Sequence, residues 1–228
     1  MLGGVDILED LDCALRCAGY YKVVCGMLNI PAVFKASYDK ANRSSIHSFH
    51  GPGLYEELQN LETINDTSGI PVITNVHSSE KTVTAAKGAD IIQLQASWLV
   101  PDHTGLARAI ANKETMIDSN KKQFLIPKQR RNSRDKLHDC ENEQLLHCER
   151  GTHFGYDNIV VCMLGIRNMK RTVDNIPLIF DVTHVLPCRD PGGWRIQVWH
   201  KLAAMNLKLY ISINRGRFSS RSKPLIGW

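Results

Sequence analysis

Long apolar runs are missing from this sequence. The longest, Ile159 to Ile166, has eight residues, far short of the roughly 18 that a membrane-spanning helix needs. No basic region followed by an apolar stretch stands at Met1-Leu2-Gly3-Gly4-Val5-Asp6, so no secretory signal is expected. The seven cysteines (13, 17, 25, 140, 148, 162 and 188) form no CxxC pair and leave one over in any full pairing. They read as reduced thiols of a cytoplasmic protein, with Cys13 and Cys17, one turn apart on the first helix, as packing residues. Low-complexity tracts, internal repeats and an obvious linker are absent too. Residues 191–228 contain no acid but seven basic residues, and the whole chain has 28 basic against 23 acidic residues. The first 190 residues therefore carry −2, and charge gives the body no nucleic-acid character.

What is present is the composition of one globular domain: 228 residues, 43% hydrophobic and 22% charged, enough for a single core. Short apolar runs of strand character recur at Pro31–Ala36, Ile70–Val76, Asp90–Leu94, Thr115–Asp118, Leu145–Cys148, Pro177–Val182 and, less cleanly, Leu207–Ile213. Between them lie segments with helical spacing: Ile7 to Met27, Ser79 to Lys87, Leu106 to Asn112 and Asp157 to Lys170. Alternating strands and helices predict parallel βα units. With a stub at Met1–Gly4 the strands number about eight, as a (β/α)8 TIM barrel requires. The competing open, doubly wound sheet would carry a glycine-rich phosphate loop after its first strand. Gly3-Gly4-Val5-Asp6 does not complete GxGxxG, and no GxxxxGK followed by Ser or Thr occurs.

In a barrel, function gathers where strands end and βα loops begin. Those positions hold Lys35, Asn75 and His77, Gln93, Lys121 and Lys122, Arg150, then Asp181 and His184. Taken singly, each lysine or arginine reads as a solvated loop charge, and His77 or His184 as a structural hydrogen-bonding residue. Together, cations from different loops on one face suit a small, multiply anionic ligand.

The block Phe34-Lys35-Ala36-Ser37-Tyr38-Asp39-Lys40-Ala41-Asn42-Arg43-Ser44-Ser45, followed by Gly51-Pro52-Gly53-Leu54, resembles the 3-deoxy-D-manno-octulosonate 8-phosphate synthases (2-dehydro-3-deoxyphosphooctonate aldolases). Ile91-Ile92-Gln93-Leu94, Cys148-Glu149-Arg150-Gly151-Thr152-His153-Phe154-Gly155-Tyr156-Asp157-Asn158 and Phe180-Asp181-Val182-Thr183-His184 agree with it in order. The resemblance runs from about Leu2 to Pro191.

It implies a cytoplasmic (β/α)8 transferase, usually a homotetramer, that joins phosphoenolpyruvate to arabinose 5-phosphate for lipopolysaccharide biosynthesis. No cofactor, nucleic-acid partner or membrane is expected. By position, Lys35, Ser37 and Lys40 would surround phosphoenolpyruvate, with Lys40 also near the reacting aldehyde. Asn42, Arg43 and Ser44 would hold the sugar phosphate. Gln93 and Arg150 would contact phosphoenolpyruvate, and His184 would sit beside the reacting carbons.

Departures from the family pattern cluster at the same site. Asp6 stands where the family has Cys in metal-dependent members or Asn in metal-independent ones, and no functional metal site is expected. Asn75 replaces an Asp, and the Arg that follows the block at 95–102 is absent. Asn120 aligns with a functional Lys; a one-residue slip lets Lys121 replace it, and Lys121 is expected to be catalytic with Lys40 and His184. The expected organisation is a barrel body over 1–191, incomplete at the first strand and the eighth βα unit, with a divergent basic tail over 192–228. The alternative reading is a degenerate, catalytically impaired homologue.

Overall fold

The computed structural model describes residues 2–4, 7–39, 47–95, 103–109, 115–121, 123–153, 155, 159–173 and 176–181. Seven strands alternate with helices along these residues. They are β1 (Leu2–Gly4), α1 (Leu11–Met27), β2 (Ala32–Lys35), α2 (Leu54–Ser68), β3 (Val72–Val76), α3 (Ser79–Gly88) and β4 (Ile91–Leu94). The order continues with α4 (His103–Ala109), β5 (Met116–Asn120), a 3-10 turn (Pro127–Gln129), α5 (Arg130–His138), β6 (Leu145–Glu149), α6 (Met163–Thr172) and β7 (Leu178–Phe180).

All seven strands form one sheet in the order β1-β2-β3-β4-β5-β6-β7, and every neighbouring pair is parallel. A doubly wound sheet reverses its strand order at a switch point; this one never reverses. Sequential parallel strands with crossover helices are the winding of a (β/α)8 barrel, of which the described residues hold seven strands. The eighth βα unit, the strand expected at Leu207–Ile213 and the boundary at 191/192 lie outside the described residues.

Strand alternation separates two apolar layers. Phe34, Val72, Val76, Ile92, Leu94 and Ile117 face the helices, in one apolar cluster that takes in Leu61 and Ile64 of α2 and Leu106 of α4. Val33, Ile73, Ile91 and Leu146, with Met116 and Ile179 against them, make a smaller cluster on the other face. This second cluster contains one residue from each of β2 to β7, so it is the inner packing layer of the barrel.

Several boundaries differ from the sequence expectation for local reasons. Helix α1 begins at Leu11 because Asp10 caps it, its carboxylate accepting from the N–H groups of Asp12 at 3.3 Å and Cys13 at 3.0 Å. On that helix Cys13 is exposed rather than packed, while Cys17 rests against the core. Helix α4 starts three residues before Leu106, and residues 110–114 lie outside the described residues. Helix α6 starts six residues later than Asp157. The N–H and C=O of Val160 are already engaged in a two-way bridge to Thr152, at 2.9 and 2.8 Å.

The apolar run Ile159–Ile166 is thus divided between a bridge and a helix. Helices α2 and α5 are not among the segments that the sequence predicts as helical. For α5 the reason is plain: Leu137 is its one apolar residue, so it has no apolar stripe to detect. Among the described residues no helix is long and apolar enough to cross a membrane.

Candidate functional site

Stepping two residues along each strand from the inner apolar layer reaches Lys35, Asn75, Gln93, Asp118, Cys148 and Asp181. Side chains two apart in a strand share a face. A polar ring therefore stands directly above an apolar floor, at the C-terminal ends of the strands where barrel sites are built. Asn75, Gln93 and Asp118 are opposite one another in register across β3, β4 and β5.

The ring is internally connected. Gln93 Nε2 donates to Asp118 Oδ2 at 2.7 Å, while Asp118 Oδ1 is buried and has no hydrogen-bond partner among the described residues. Burial pushes the Asp118 carboxyl up to about 6; the bond from Gln93 and the charges of Arg130 and Lys35 pull the other way, and Asp181 adds to the rise. Burial likewise drives the Cys148 thiol far up, with Asp118 and Asp181 contributing, so it is neutral.

Lys35 Nζ donates to Ser37 Oγ at 3.4 Å. At the rim, Arg150 Nε lies 3.7 Å from Asp181 Oδ2, both groups partly exposed. The loop after β2 folds over β3. His77 Nε2 lies 2.9 Å from Asn75 Nδ2 and 3.1 Å from the Asp39 carbonyl. The Tyr38 ring meets His77 edge-on with centroids 5.4 Å apart, and Lys81 Nζ sits 5.2 Å above it. Burial raises the Tyr38 phenol to about 12.

Lys121 follows the last residue of β5 and is 2% exposed. Its ammonium donates to the Leu125 carbonyl at 3.3 Å, the Gly151 carbonyl at 3.2 Å and Thr152 Oγ1 at 3.2 Å. It also lies 3.4 Å from Glu149 Oε1, which accepts from the Gly151 N–H at 2.7 Å. This lysine ties the end of β5 to the loop that carries Arg150.

On the helix side of the same strands, Arg130 donates to the Ser119 carbonyl at 2.7 Å and contacts His147 Nδ1. Burial and the neighbouring Arg130 charge hold His147 down at about 3, and burial lowers Arg130 to about 10.

The structure thus brings Lys35 to Ser37, Gln93 to Asp118 and Arg150 to Asp181, all on one end of the sheet. Lys121 shares that end but meets Glu149, Gly151 and Thr152. Lys40, Asn42, Arg43, Ser44 and His184, and Asp6 with them, lie outside the described residues. Among the described residues no three His, Cys, Asp or Glu side chains group as a metal site.

Two acids of the site carry no distinguishing mark in the sequence. Asp118 closes the run Thr115–Asp118 and reads there as a strand boundary, although its alternation with Met116 places it on the inner face. Glu57, in the first turn of α2, is fully buried with both carboxylate oxygens unpartnered among the described residues. Burial raises it to about 7, with Lys35 opposing the rise. Chemically, a cationic and amide-rich rim over a dry floor can hold an anion in one orientation. Acids of raised pKa below it can carry protons near neutrality.

The sequence model of the DAHP synthetase I family matches residues 1–208. The 2-dehydro-3-deoxyphosphooctonate aldolase of Parasynechococcus marenigrum (strain WH8102) is 65% identical over 193 residues, covering 85% of this chain and 68% of that protein. The protein of that name from Synechococcus sp. (strain WH7803) is 55% identical over 193 residues, with the same coverage of 85% and 68%. The one from Cronobacter sakazakii (strain ATCC BAA-894) is 47% identical over 193 residues, covering 85% of this chain and 67% of that protein.

Proposed function

The chain belongs to the DAHP synthetase I family, and from that premise we propose that it is a 2-dehydro-3-deoxyphosphooctonate aldolase. It is a carbon–carbon bond-forming enzyme that joins phosphoenolpyruvate to arabinose 5-phosphate. The observation that carries this reading is the 65% identity to a protein of that name across 85% of the chain. The polar ring over the apolar floor supports it, since it lies where a barrel enzyme binds substrate. Nothing among the described residues favours a degenerate homologue.

In the proposed reaction, C3 of phosphoenolpyruvate adds to the aldehyde carbon of the sugar phosphate. Water adds at C2, and inorganic phosphate leaves from the resulting carbon. Two anions must approach each other, so the protein's task is electrostatic: fixed cations and amide donors orient both and stabilise charge developing on the reacting carbons. Lys35, Ser37, Gln93 and Arg150 are assigned to phosphoenolpyruvate, with Arg150 on its phosphate. Asn42, Arg43 and Ser44 are assigned to the sugar phosphate, and Lys40 and His184 to the reacting atoms. Lys121 anchors the loop that presents Arg150.

A homo-oligomer in the cytoplasm, with a barrel body over 1–191 and a basic tail beyond it, belongs to the same proposal. The test is inorganic phosphate release from phosphoenolpyruvate by purified protein, with and without arabinose 5-phosphate, under chelator and under added divalent metal. Release that requires the sugar phosphate and yields the eight-carbon product is expected. Folded protein that releases none under either metal condition overturns the proposal.

A further inference from the structure

Gln93 and Asp118 meet in the middle of the polar ring, at 2.7 Å. An ionised carboxylate only accepts hydrogen bonds, whereas an amide has a donating and an accepting end. Facing a charged Asp118, Gln93 must turn its NH2 group inward, as it does here. Its carbonyl is then the end left for a ligand.

That arrangement suits an anion poorly, because a phosphate or carboxylate needs donors. Asp118 itself is 1% exposed, so its charge beneath the amide is little screened and also repels an anion. A proton on Asp118 reverses both effects. The carboxyl then donates to Gln93 Oε1, the amide turns over, and its NH2 faces the mouth while one negative charge disappears. Asp118 Oδ1, unpartnered among the described residues, leaves the ionised carboxylate without full compensation from them.

We propose that Asp118 is the positioning residue for Gln93, and that its protonated form is the one that admits the anionic substrate. The inference rests on the phosphoenolpyruvate assignment made for Gln93 above. The charged and titratable groups that act on Asp118 are Lys35 of β2, Cys148 of β6 and Asp181 after β7 on its own face, and Arg130 of α5 from the helix side. Arg150 is drawn off toward Asp181, and Cys148 is neutral. The cations lower the proton affinity of Asp118 and Asp181 raises it; burial outweighs them.

The test measures phosphoenolpyruvate binding calorimetrically to full-length wild type and to Asp118→Asn between about pH 5 and about pH 8. The asparagine amide is isosteric with the carboxyl, carries no charge and can donate to Gln93 Oε1, so it imitates the protonated acid. Titration of the ligand's own phosphate is common to both proteins and cancels in the ratio of affinities. Because only the protonated fraction binds well, the wild type should lose on the order of 100-fold in affinity relative to the variant across that range.

A ratio that stays constant while both proteins bind overturns the inference and leaves the proposed function standing. Failure of both to bind at any pH overturns the function, and with it the substrate half of the inference. The proton is then judged on wild-type protein labelled with carbon-13 at its aspartate carboxyls, which needs neither variant nor substrate. One resonance titrating near pH 6 is expected. If all titrate in the ordinary aspartate range, about pH 4, the inference falls.

Discussion

Replacing Lys121 by Met should unfold the C-terminal rim of the barrel before it affects anything else. The Lys121–Glu149 pair is separated by 3.4 Å with side chains only 2% and 4% exposed. At that distance and an effective dielectric near 20, the gross attraction is about 5 kcal/mol, most of it offset by the desolvation of two charges. Removing only the cation abolishes the attraction and keeps the desolvation. Glu149 would keep the Gly151 N–H at 2.7 Å, and the Gly151 carbonyl and Thr152 hydroxyl would lose the Lys121 donor.

A buried charge left without its partner costs roughly 3–5 kcal/mol. That is a large fraction of the roughly 5–15 kcal/mol by which a typical domain is stable. The assay is urea unfolding of wild type, Lys121→Met, Glu149→Gln and the double variant, at constant pH and salt. The double variant should recover about 2 kcal/mol or more of the loss, since the substituted glutamine amide still accepts from Gly151 without a charge to strand. A loss below about 1 kcal/mol in Lys121→Met, with no recovery in the double variant, would show that the ammonium is solvated and that the clamp does not exist.

Three other perturbations follow from the same structure. Arg150→Ala should lower kcat/KM for sugar-dependent phosphate release by on the order of 100-fold, as for loss of one electrostatic donor; unchanged turnover removes Arg150 from the site. His147 is held near 3 against an ordinary 6.5, so the unfolded chain binds more protons between these values. Its contribution to stability is complete above about 6.5 and is lost as pH falls toward 3, amounting to about 2 kcal/mol by pH 5. His147→Gln should flatten that part of the urea midpoint against pH, and an unaltered slope would refute the assignment. Gly51 has φ +136°, and a Cβ there would stand 2.2 Å from the Tyr38 carbonyl oxygen. Gly51→Ala should therefore lose more than about 2 kcal/mol, read as a fall in Tm; an unchanged Tm would mean that the loop can relax at no cost.

The strands are legible because their information is local. The run Val72–Val76 is short, rich in β-branched residues and buried on both faces, which is how a parallel strand reads in sequence. Their order follows from the alternation with helices, and the motif around Lys35 points to the family without any coordinate. Helix α5, with its single apolar residue, is invisible for the converse reason: its position comes from Arg130 reaching the Ser119 carbonyl and His147, not from a stripe of its own. The boundary of α6 depends on the bridge between Thr152 and Val160, eight residues apart, which no helical spacing records.

The chemical state of the site belongs to tertiary structure in the same sense. Sequence places cations at the strand ends, because lysine and arginine occupy those positions whatever surrounds them. It does not say which of them will meet an acid, nor which acids will be stripped of water. Asp118 acquires its raised proton affinity from burial, which outweighs the hydrogen bond from an amide 25 positions earlier in the chain. Lys121 has its ammonium engaged by Thr152, 31 positions later. Both outcomes depend on the parallel register of β4, β5 and β6, which sets side chains from distant segments within hydrogen-bond reach in a dry interior, where a single bond or charge is decisive.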